Sequence, residues 1–284
     1  AKQQPQGDEL AELDAQRRAT NRSLRRALRR ARTWRLLAGT GGSWLLYDVA
    51  FYGFTLMGPK VVATCFKNGD SESIQRDAWQ QGVALAFALP AVKLTTWLIR
   101  RSRYDLKTLQ CAGFYLMALT YGVFAAVRTT NLGSWPLYAV YCLVNFALSF
   151  GPNVTTFVLP AATFRRRTRA TFNGASSAAG KLGAVLGTEL LPILDAHLGM
   201  TAVLLGCALV SVLGALVTHL CVDHVFADAA YANLDDDDDD EDLDDDADGL
   251  DGPGPTDDDD DAPGSLDGGH AATLLTSTRG AALA

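Results

Sequence analysis

The feature that most constrains this chain is a series of six apolar stretches, each about long enough to cross a lipid bilayer. An α-helix rises about 1.5 Å per residue, so about 20 apolar residues cross a hydrocarbon core about 30 Å thick. The stretches cover residues 36–57, 80–99, 109–127, 135–160, 171–194 and 200–222. A buried soluble core is the competing interpretation, and six such runs in series argue against it. We therefore predict an all-α membrane protein with six transmembrane helices in one bundle.

Charge divides the chain into three parts. Residues 1–35 are polar and basic, residues 36–222 are mostly apolar, and residues 223–284 are acidic and low in complexity. The last part holds 21 acidic residues against one arginine, so the overall net charge of −7 describes none of the three. Aspartate runs cannot bury apolar area. We therefore predict a basic cytoplasmic segment, a transmembrane bundle and a disordered Asp-rich tail, in that order.

The distribution of Lys and Arg among the loops predicts the orientation in the membrane. Eighteen of these residues fall on the side of the N-terminal segment and four on the other side. Cytoplasmic loops carry the excess of positive charge. Because six is an even number, we expect both termini, and with them the Asp-rich tail, to be cytoplasmic. We expect a multi-pass protein of the plasma membrane.

The basic segment between Arg17 and Arg35 has two interpretations. It could bind nucleic acid, but its position directly before a span favours a topogenic or lipid-headgroup role, so we expect a lipid bilayer and no nucleic acid as partner. The aspartate runs could buffer calcium, although a solvated polyanion explains them as well. The five cysteines have no metal-ligand spacing, so we expect neither a metal site nor a cofactor.

Two charged residues lie midway along predicted spans, where each costs on the order of 3 kcal/mol. Asp48 lies in the first span and Lys181 in the fifth. Trp44 and Tyr52 stand four residues before and after Asp48, so the three side chains share one helical face. This alignment favours the wall of a polar cavity, although simple aromatic packing also accounts for it.

The fourth and fifth spans carry further polar or small residues. Gly151 and Pro152 interrupt the fourth, because proline has no N–H to donate, and Asn153 follows them. In the fifth, Gly183 and Gly187 form a GxxxG pair that allows close helix approach. An acid, a base and an amide on three helices predict a site for a small anion coupled to a proton. A buried Asp–Lys ion pair of purely structural value explains the two charges equally well.

The same segments carry a family resemblance. Residues 39–53 (GTGGSWLLYDVAFYG) resemble the seventh helix of the phosphate:proton symporters of the major facilitator superfamily. Residues 150–157 (FGPNVTTF) resemble their tenth helix, and residues 176–184 (SSAAGKLGA) their eleventh. The resemblance covers about residues 36–222. It implies a major-facilitator-type transporter rather than an enzyme, with this chain supplying the C-terminal six-helix bundle.

The resemblance also implies a role for each candidate residue. Trp44, Asp48, Tyr52, Asn153 and Lys181 match positions that bind inorganic phosphate at the centre of the membrane. Asp48 would be the proton-coupling carboxylate and Lys181 the cationic partner of phosphate. Such carriers place the site between two bundles. The implied partners are therefore phosphate, protons and the missing N-terminal six-helix bundle, supplied by the same gene or by another chain.

Two cytoplasmic loops depart from the family pattern. The stretch 100–107 lacks the Asp and the Gly that usually precede the basic pair there. Residues 160–164 (PAATF) replace a Pro-Gly-Glu-x-Phe pattern, whereas Arg167 and Arg169 match its Arg-x-Arg. The family uses these acids in charge networks that switch conformation. The resemblance therefore implies an intact substrate site with an altered gate.

Two classes of function follow. The first is a secondary active transporter for phosphate and protons, or for a related substrate such as a glycerophosphodiester. The second is a non-transporting half-transporter or a membrane scaffold that displays an acidic tail. Six further spans upstream of Ala1 in the coding sequence would favour the first.

Overall fold

Ten α-helices make up nearly all of the part of the chain that the computed structural model describes, which is residues 4–66, 74–101, 104–130 and 133–226. They are α1 (Gln4–Arg29), α2 (Ala31–Leu56), α3 (Gly58–Cys65), α4 (Ile74–Ala86), α5 (Ala88–Arg100), α6 (Leu106–Thr129), α7 (Ser134–Ser149), α8 (Pro152–Thr163), α9 (Arg166–Leu198) and α10 (Met200–Cys221). No β-strand occurs within these ranges. The prediction of an all-α protein is confirmed.

Four stretches of the described chain are long and apolar enough to cross a membrane. They are Ala78–Arg100, Leu106–Thr129, Ser134–Thr163 and Met200–Cys221. They coincide with the second, third, fourth and sixth predicted spans. The first and fifth predicted spans fall on α2 and α9, which at 26 and 33 residues are long enough but less apolar.

The fourth predicted span is broken where its sequence indicated. Gly151 lies between α7 and α8 with φ +73°, a backbone conformation that residues with a Cβ rarely adopt. Pro152 then occupies the first position of α8, where a missing N–H costs nothing. The freed N–H of Gly151 donates to the Thr95 hydroxyl of α5 (3.0 Å). The break is therefore held by a side chain from a neighbouring helix.

Two helices and a second break were not predicted. The second span divides at Phe87 into α4 and α5, three residues before Pro90, whose nitrogen cannot donate to the Ala86 carbonyl. The basic segment forms α1, and its Leu24 and Ala27 pack against a cluster of apolar side chains from α2, α9 and the residue after α8. The short helix α3 follows α2, with proline in its first turn.

The most extensive contact between two of the described helices is that of α2 with α9. A Cβ at Gly183 would overlap the backbone of Leu45, and a Cβ at Gly187 would overlap the backbone of Val49. The Thr40 and Ser176 hydroxyls share a hydrogen bond (2.9 Å) near one end of the same contact. Because residue numbers rise together along both helices, α2 and α9 run parallel. Small residues let their backbones touch.

The first four residues of the predicted acidic tail are ordered against the helices. Asp223 bonds to Arg32 (2.9 Å) and Arg35 (2.6 Å) at the start of α2. His224 and the Val225 N–H bond to Asp105, the N-cap residue of α6 (2.6 and 2.7 Å). We call residues 222–226 the C-terminal strap. Residues 227–284, which hold the rest of the predicted disordered tail, lie outside the described residues.

Candidate functional site

Asp48 is a buried carboxylate with one oxygen unused. It lies in the middle of α2 and is 3% exposed. Its Oδ2 atom has no hydrogen-bond partner among the residues that the structure describes. One turn earlier Trp44 is equally buried, whereas one turn later the Tyr52 ring is 38% exposed. The face predicted from the spacing therefore runs from a closed end at Trp44 to an open end at Tyr52.

Lys181 reaches this face from α9. Its side chain is exposed, and its ammonium group lies over the Tyr52 ring, 5.4 Å from the ring centroid. Its charge acts on the Asp48 carboxylate, but in the described part of the chain no salt bridge joins the two residues. The Lys181 ammonium is therefore held near the acid by a cation–π contact and remains accessible.

Gly180, the residue before Lys181, determines where the Lys181 side chain lies. A Cβ at Gly180 would overlap the indole ring of Trp44. Because the two helices touch at this point, Lys181 projects from the flank of α9, one residue away from the contact. The close packing of α2 on α9 therefore brings Trp44, Asp48, Tyr52 and Lys181 together.

Asn153 lies at the start of α8, the second half of the broken helix. It is half-buried at the start of α8, one turn before Phe157, whose ring meets Trp44 edge-on with centroids 4.6 Å apart. The Tyr47 hydroxyl donates to the Leu148 carbonyl (2.9 Å). These two contacts make α7 and α8 antiparallel to α2. In that register, one turn of α8 brings Asn153 toward the level of the carboxylate.

The arrangement can bind a small anion. The Lys181 ammonium supplies three donors and a positive charge, and the Asn153 amide adds two donors. Asp48 supplies one free oxygen, which accepts a hydrogen bond when ionised and shares its proton when protonated. All five candidate residues border the contact region of α2 with α8 and α9. Their assignment as a binding site stays a prediction.

A second polar group beside this site was not predicted from the sequence. Gln110 of α6 is fully buried and donates to Ser43 of α2 (2.9 Å) and Thr218 of α10 (3.0 Å). Its carbonyl oxygen accepts from Thr155 of α8 (2.9 Å). The Gln110 side chain thus joins four helices, and both its amide nitrogen and its carbonyl oxygen have hydrogen-bond partners. A glutamine at the second position of the third predicted span was the available signal, because uncharged polar residues in spans commonly join helices.

Comparisons with known proteins place the chain in a family. Residues 95–226 match the model of a family described as sugar (and other) transporter. The chain is similar to inorganic phosphate transporter PT2 of Toxoplasma gondii, with 32% identity over 193 residues, which are 68% of this chain and 34% of that protein. It is also 32% identical over 166 residues to inorganic phosphate transporter PHO84 of Saccharomyces cerevisiae, covering 57% and 28% of the two chains.

A plant relative agrees with these two. The probable inorganic phosphate transporter 1-9 of Oryza sativa is 34% identical over 164 residues, 54% of this chain and 27% of that protein. The chain spans about a third of the length of these relatives. With four apolar helices, it is a multi-pass membrane protein. It therefore belongs to the family of major facilitator transporters that includes these phosphate transporters.

Proposed function

We propose that this chain is the C-terminal half of a carrier that transports inorganic phosphate together with protons. The observation that carries the proposal is the free Oδ2 atom of buried Asp48, close to the accessible ammonium of Lys181. A buried charged oxygen without a partner costs on the order of 1–3 kcal/mol or more. A protein keeps such an unpaired oxygen where a ligand or a proton completes the site. The names of the relatives, which are inorganic phosphate transporters, support phosphate as the ligand.

The proposal includes six transmembrane helices. The segments α2 and α9 would complete the four apolar spans, because Thr40 of α2 bonds to Ser176 of α9 and two glycines of α9, Gly183 and Gly187, lie against the α2 backbone. With six spans, both termini lie on the same side, and the excess of Lys and Arg on that side favours the cytoplasm. Trp44, Asp48, Tyr52, Asn153 and Lys181 would then face a second six-helix bundle across the central cavity.

Competition for Lys181 would couple the proton to the anion. Without substrate, the ammonium of Lys181 is the opposite charge acting on Asp48. Phosphate bound at Lys181 neutralises that ammonium and adds negative charge beside the carboxylate, so Asp48 takes up a proton. The neutral carboxyl then donates a hydrogen bond to phosphate. Each ligand favours binding of the other, and this reciprocity is what coupled transport requires.

The test is radiolabelled phosphate uptake into vesicles, measured against pH, with the complete protein. Asp48→Asn mimics the protonated carboxyl, so we expect phosphate exchange to persist while pH-driven accumulation is lost. Lys181→Ala removes a charge-assisted contact of about 1.5–3 kcal/mol and should weaken phosphate binding about 10- to 100-fold.

Lys93→Ala is the matched control for the lysine variant. Lys93 is also an exposed lysine within an apolar span, on α5. We expect its replacement to leave uptake within about twofold of wild type, a change below about 0.5 kcal/mol. Full proton-driven accumulation by Asp48→Asn would refute the mechanism. Equal losses in Lys181→Ala and Lys93→Ala would refute the site.

A glycerophosphodiester is the second candidate substrate, because the same ammonium and amide would bind its phosphate group. Competition separates the two: excess glycerophosphodiester should reduce labelled phosphate uptake less than excess unlabelled phosphate does. A non-transporting half-transporter is the other alternative. It would be supported if the coding sequence upstream of Ala1 encoded no further spans and the chain, reconstituted alone, accumulated no phosphate.

A further inference from the structure

Helix α1 carries a stripe of exposed arginines. Arg18, Arg22, Arg25 and Arg29 follow one another at intervals of four, three and four residues, and all four side chains are exposed. Intervals of three and four keep side chains on one face of a helix with 3.6 residues per turn. We call these four residues the arginine stripe.

The opposite face of α1 is the one that packs on the helices. Leu24 and Ala27 contact the apolar cluster of Leu36, Phe164 and Phe172. Successive residues are turned by 100° around the helix axis. The average direction of the Leu24 and Ala27 side chains is therefore nearly opposite to the average direction of the four arginines. The stripe therefore faces away from the helices it is attached to. Four cations on one face form a surface for a polyanion.

The C-terminal strap anchors an acidic segment near the end of this stripe. Asp223 bonds to both Arg32 and Arg35, and Arg32 follows Arg29 by only three residues. Later in the strap, at the N-cap of α6, the Leu106 N–H donates to the Val225 carbonyl (2.9 Å), and the Val225 N–H donates to Asp105 (2.7 Å). The chain that continues past Phe226 thus begins near the N-cap of α6, three residues after the Asp223 contacts with the start of α2.

We infer that the aspartate run 235–240 of this chain docks on the arginine stripe. The run consists of six consecutive aspartates, followed by Glu241. Eight residues (227–234) lie between Phe226 and the run, and the nine steps from Phe226 to Asp235 reach up to about 30 Å, which exceeds the stripe length of about 16 Å from Arg18 to Arg29. In an extended form the run itself spans about 20 Å. Its charge, length and tether match the stripe.

The tether makes the chain's own tail the favoured occupant. A short linker holds a tethered segment at an effective concentration of about millimolar. The Asp223 contacts with Arg32 and Arg35 show the same pairing of carboxylate with guanidinium at the root of the tail. Anionic lipid headgroups are the competing polyanion for the stripe. The inference does not depend on what the protein transports.

The test is a distance measurement by double electron–electron resonance with spin labels at Ala15→Cys and Leu243→Cys, in the full chain in neutral-lipid nanodiscs. Docking should bring position 243, just after the run, close to position 15, just before the stripe. The two labels should then give a short, narrow distance distribution. Changing Arg18, Arg22, Arg25 and Arg29 together to Glu should broaden the distribution. Combining this change with Asp→Lys across 235–240 should restore it. In 1 M salt, where the screening length is about 3 Å, wild type should broaden too.

The second aspartate run, 257–261, offers a matched control, because its charge can be reversed in the same way. Its reversal should leave the distance distribution narrow, because the run lies beyond the labelled segment. A broad distribution in wild type, or failure of the charge swap to restore a narrow one, would overturn the inference. Loss of the narrow distribution in nanodiscs containing phosphatidylserine would assign the stripe to lipid headgroups instead.

Discussion

Single glycines decide how closely the two helices that carry the candidate site approach each other. At Gly183 the nearest atoms across the contact are the Leu45 carbonyl group and Cα, not flexible side-chain ends. Backbone cannot move aside as a side chain can, so an added methyl group would separate α2 from α9. Because Lys181 is two residues away, its position over Tyr52 depends on this contact.

We predict that Gly183→Ala destabilises the protein by about 1–3 kcal/mol, the usual cost of overpacking a tight contact. The measurement is the thermal unfolding midpoint in detergent. Gly174→Ala is the matched control, because it lies in the same helix and a Cβ there meets no atom within 4 Å. It should leave the midpoint unchanged or raise it, since alanine favours helix by up to about 1 kcal/mol over glycine. Equal midpoints for the two variants would contradict the close-contact argument.

At the scale of elements, the broken helix α7–α8 depends on α5 for its geometry. The turn at Gly151 frees backbone groups in a region where water is scarce, and such groups need partners. The Thr95 hydroxyl accepts from the Gly151 N–H and itself donates to the Ala91 carbonyl (3.0 Å). Thr95 thus links two segments that lie 56 residues apart. This link sets where α8, and with it Asn153, begins.

We predict that Thr95→Val lowers the stability of the folded protein by about 1–3 kcal/mol, because it leaves the buried Gly151 N–H unsatisfied. Thr96→Val is the control. Its hydroxyl donates only to the Val92 carbonyl of its own helix (2.8 Å), which keeps its helical bond. The measurement is the thermal unfolding midpoint of each variant. A midpoint for Thr95→Val as high as that for Thr96→Val would show that the turn does not need this partner.

At the scale of the molecule, the C-terminal strap joins the ends of three helices. It follows α10, bonds to the start of α2 through Asp223 and bonds to the N-cap of α6 through Val225. Burial alone would raise the pKa of the Asp223 carboxyl, but hydrogen bonds and charge from Arg32 and Arg35 lower it below its ordinary value of 3.8. The pairing therefore favours the ionised acid. An acid with a lowered pKa stabilises the folded form at neutral pH.

We predict that the stabilising effect of Asp223 is complete above about pH 4 and is lost as the pH falls through its lowered pKa. Hydrogen–deuterium exchange of residues 104–109 and 222–226, corrected for intrinsic rates, tests this. Wild type should be better protected than Asp223→Asn at pH 7, and the difference should shrink below about pH 4. Asp228→Asn is the charge-matched control and should match wild type. Equal protection in wild type and Asp223→Asn at pH 7 would contradict the prediction.

Much of the fold follows from local properties of the chain. Long apolar runs and the Gly-Pro pair determine helices and one break without reference to other segments, because backbone groups in an apolar region must bond within their own helix. The break at Phe87 and the helix α1 were not predicted. Pro90 gave a signal for the first. The basic segment resembles a flexible chain in composition, and its helix depends on Leu24 and Ala27 packing against distant residues.

The candidate site divides in the same way between sequence and tertiary structure. Spacing alone put Trp44, Asp48 and Tyr52 on one face, because a helix repeats every 3.6 residues. Which second helix meets that face is decided by Gly180, Gly183 and Gly187, because their missing Cβ atoms leave room for the Trp44 ring and the α2 backbone. The free Oδ2 of Asp48 and the placement of Lys181 over Tyr52 exist only after that contact forms. A sequence states which side chains are available, whereas contacts between residues more than a hundred positions apart decide which of them lie together.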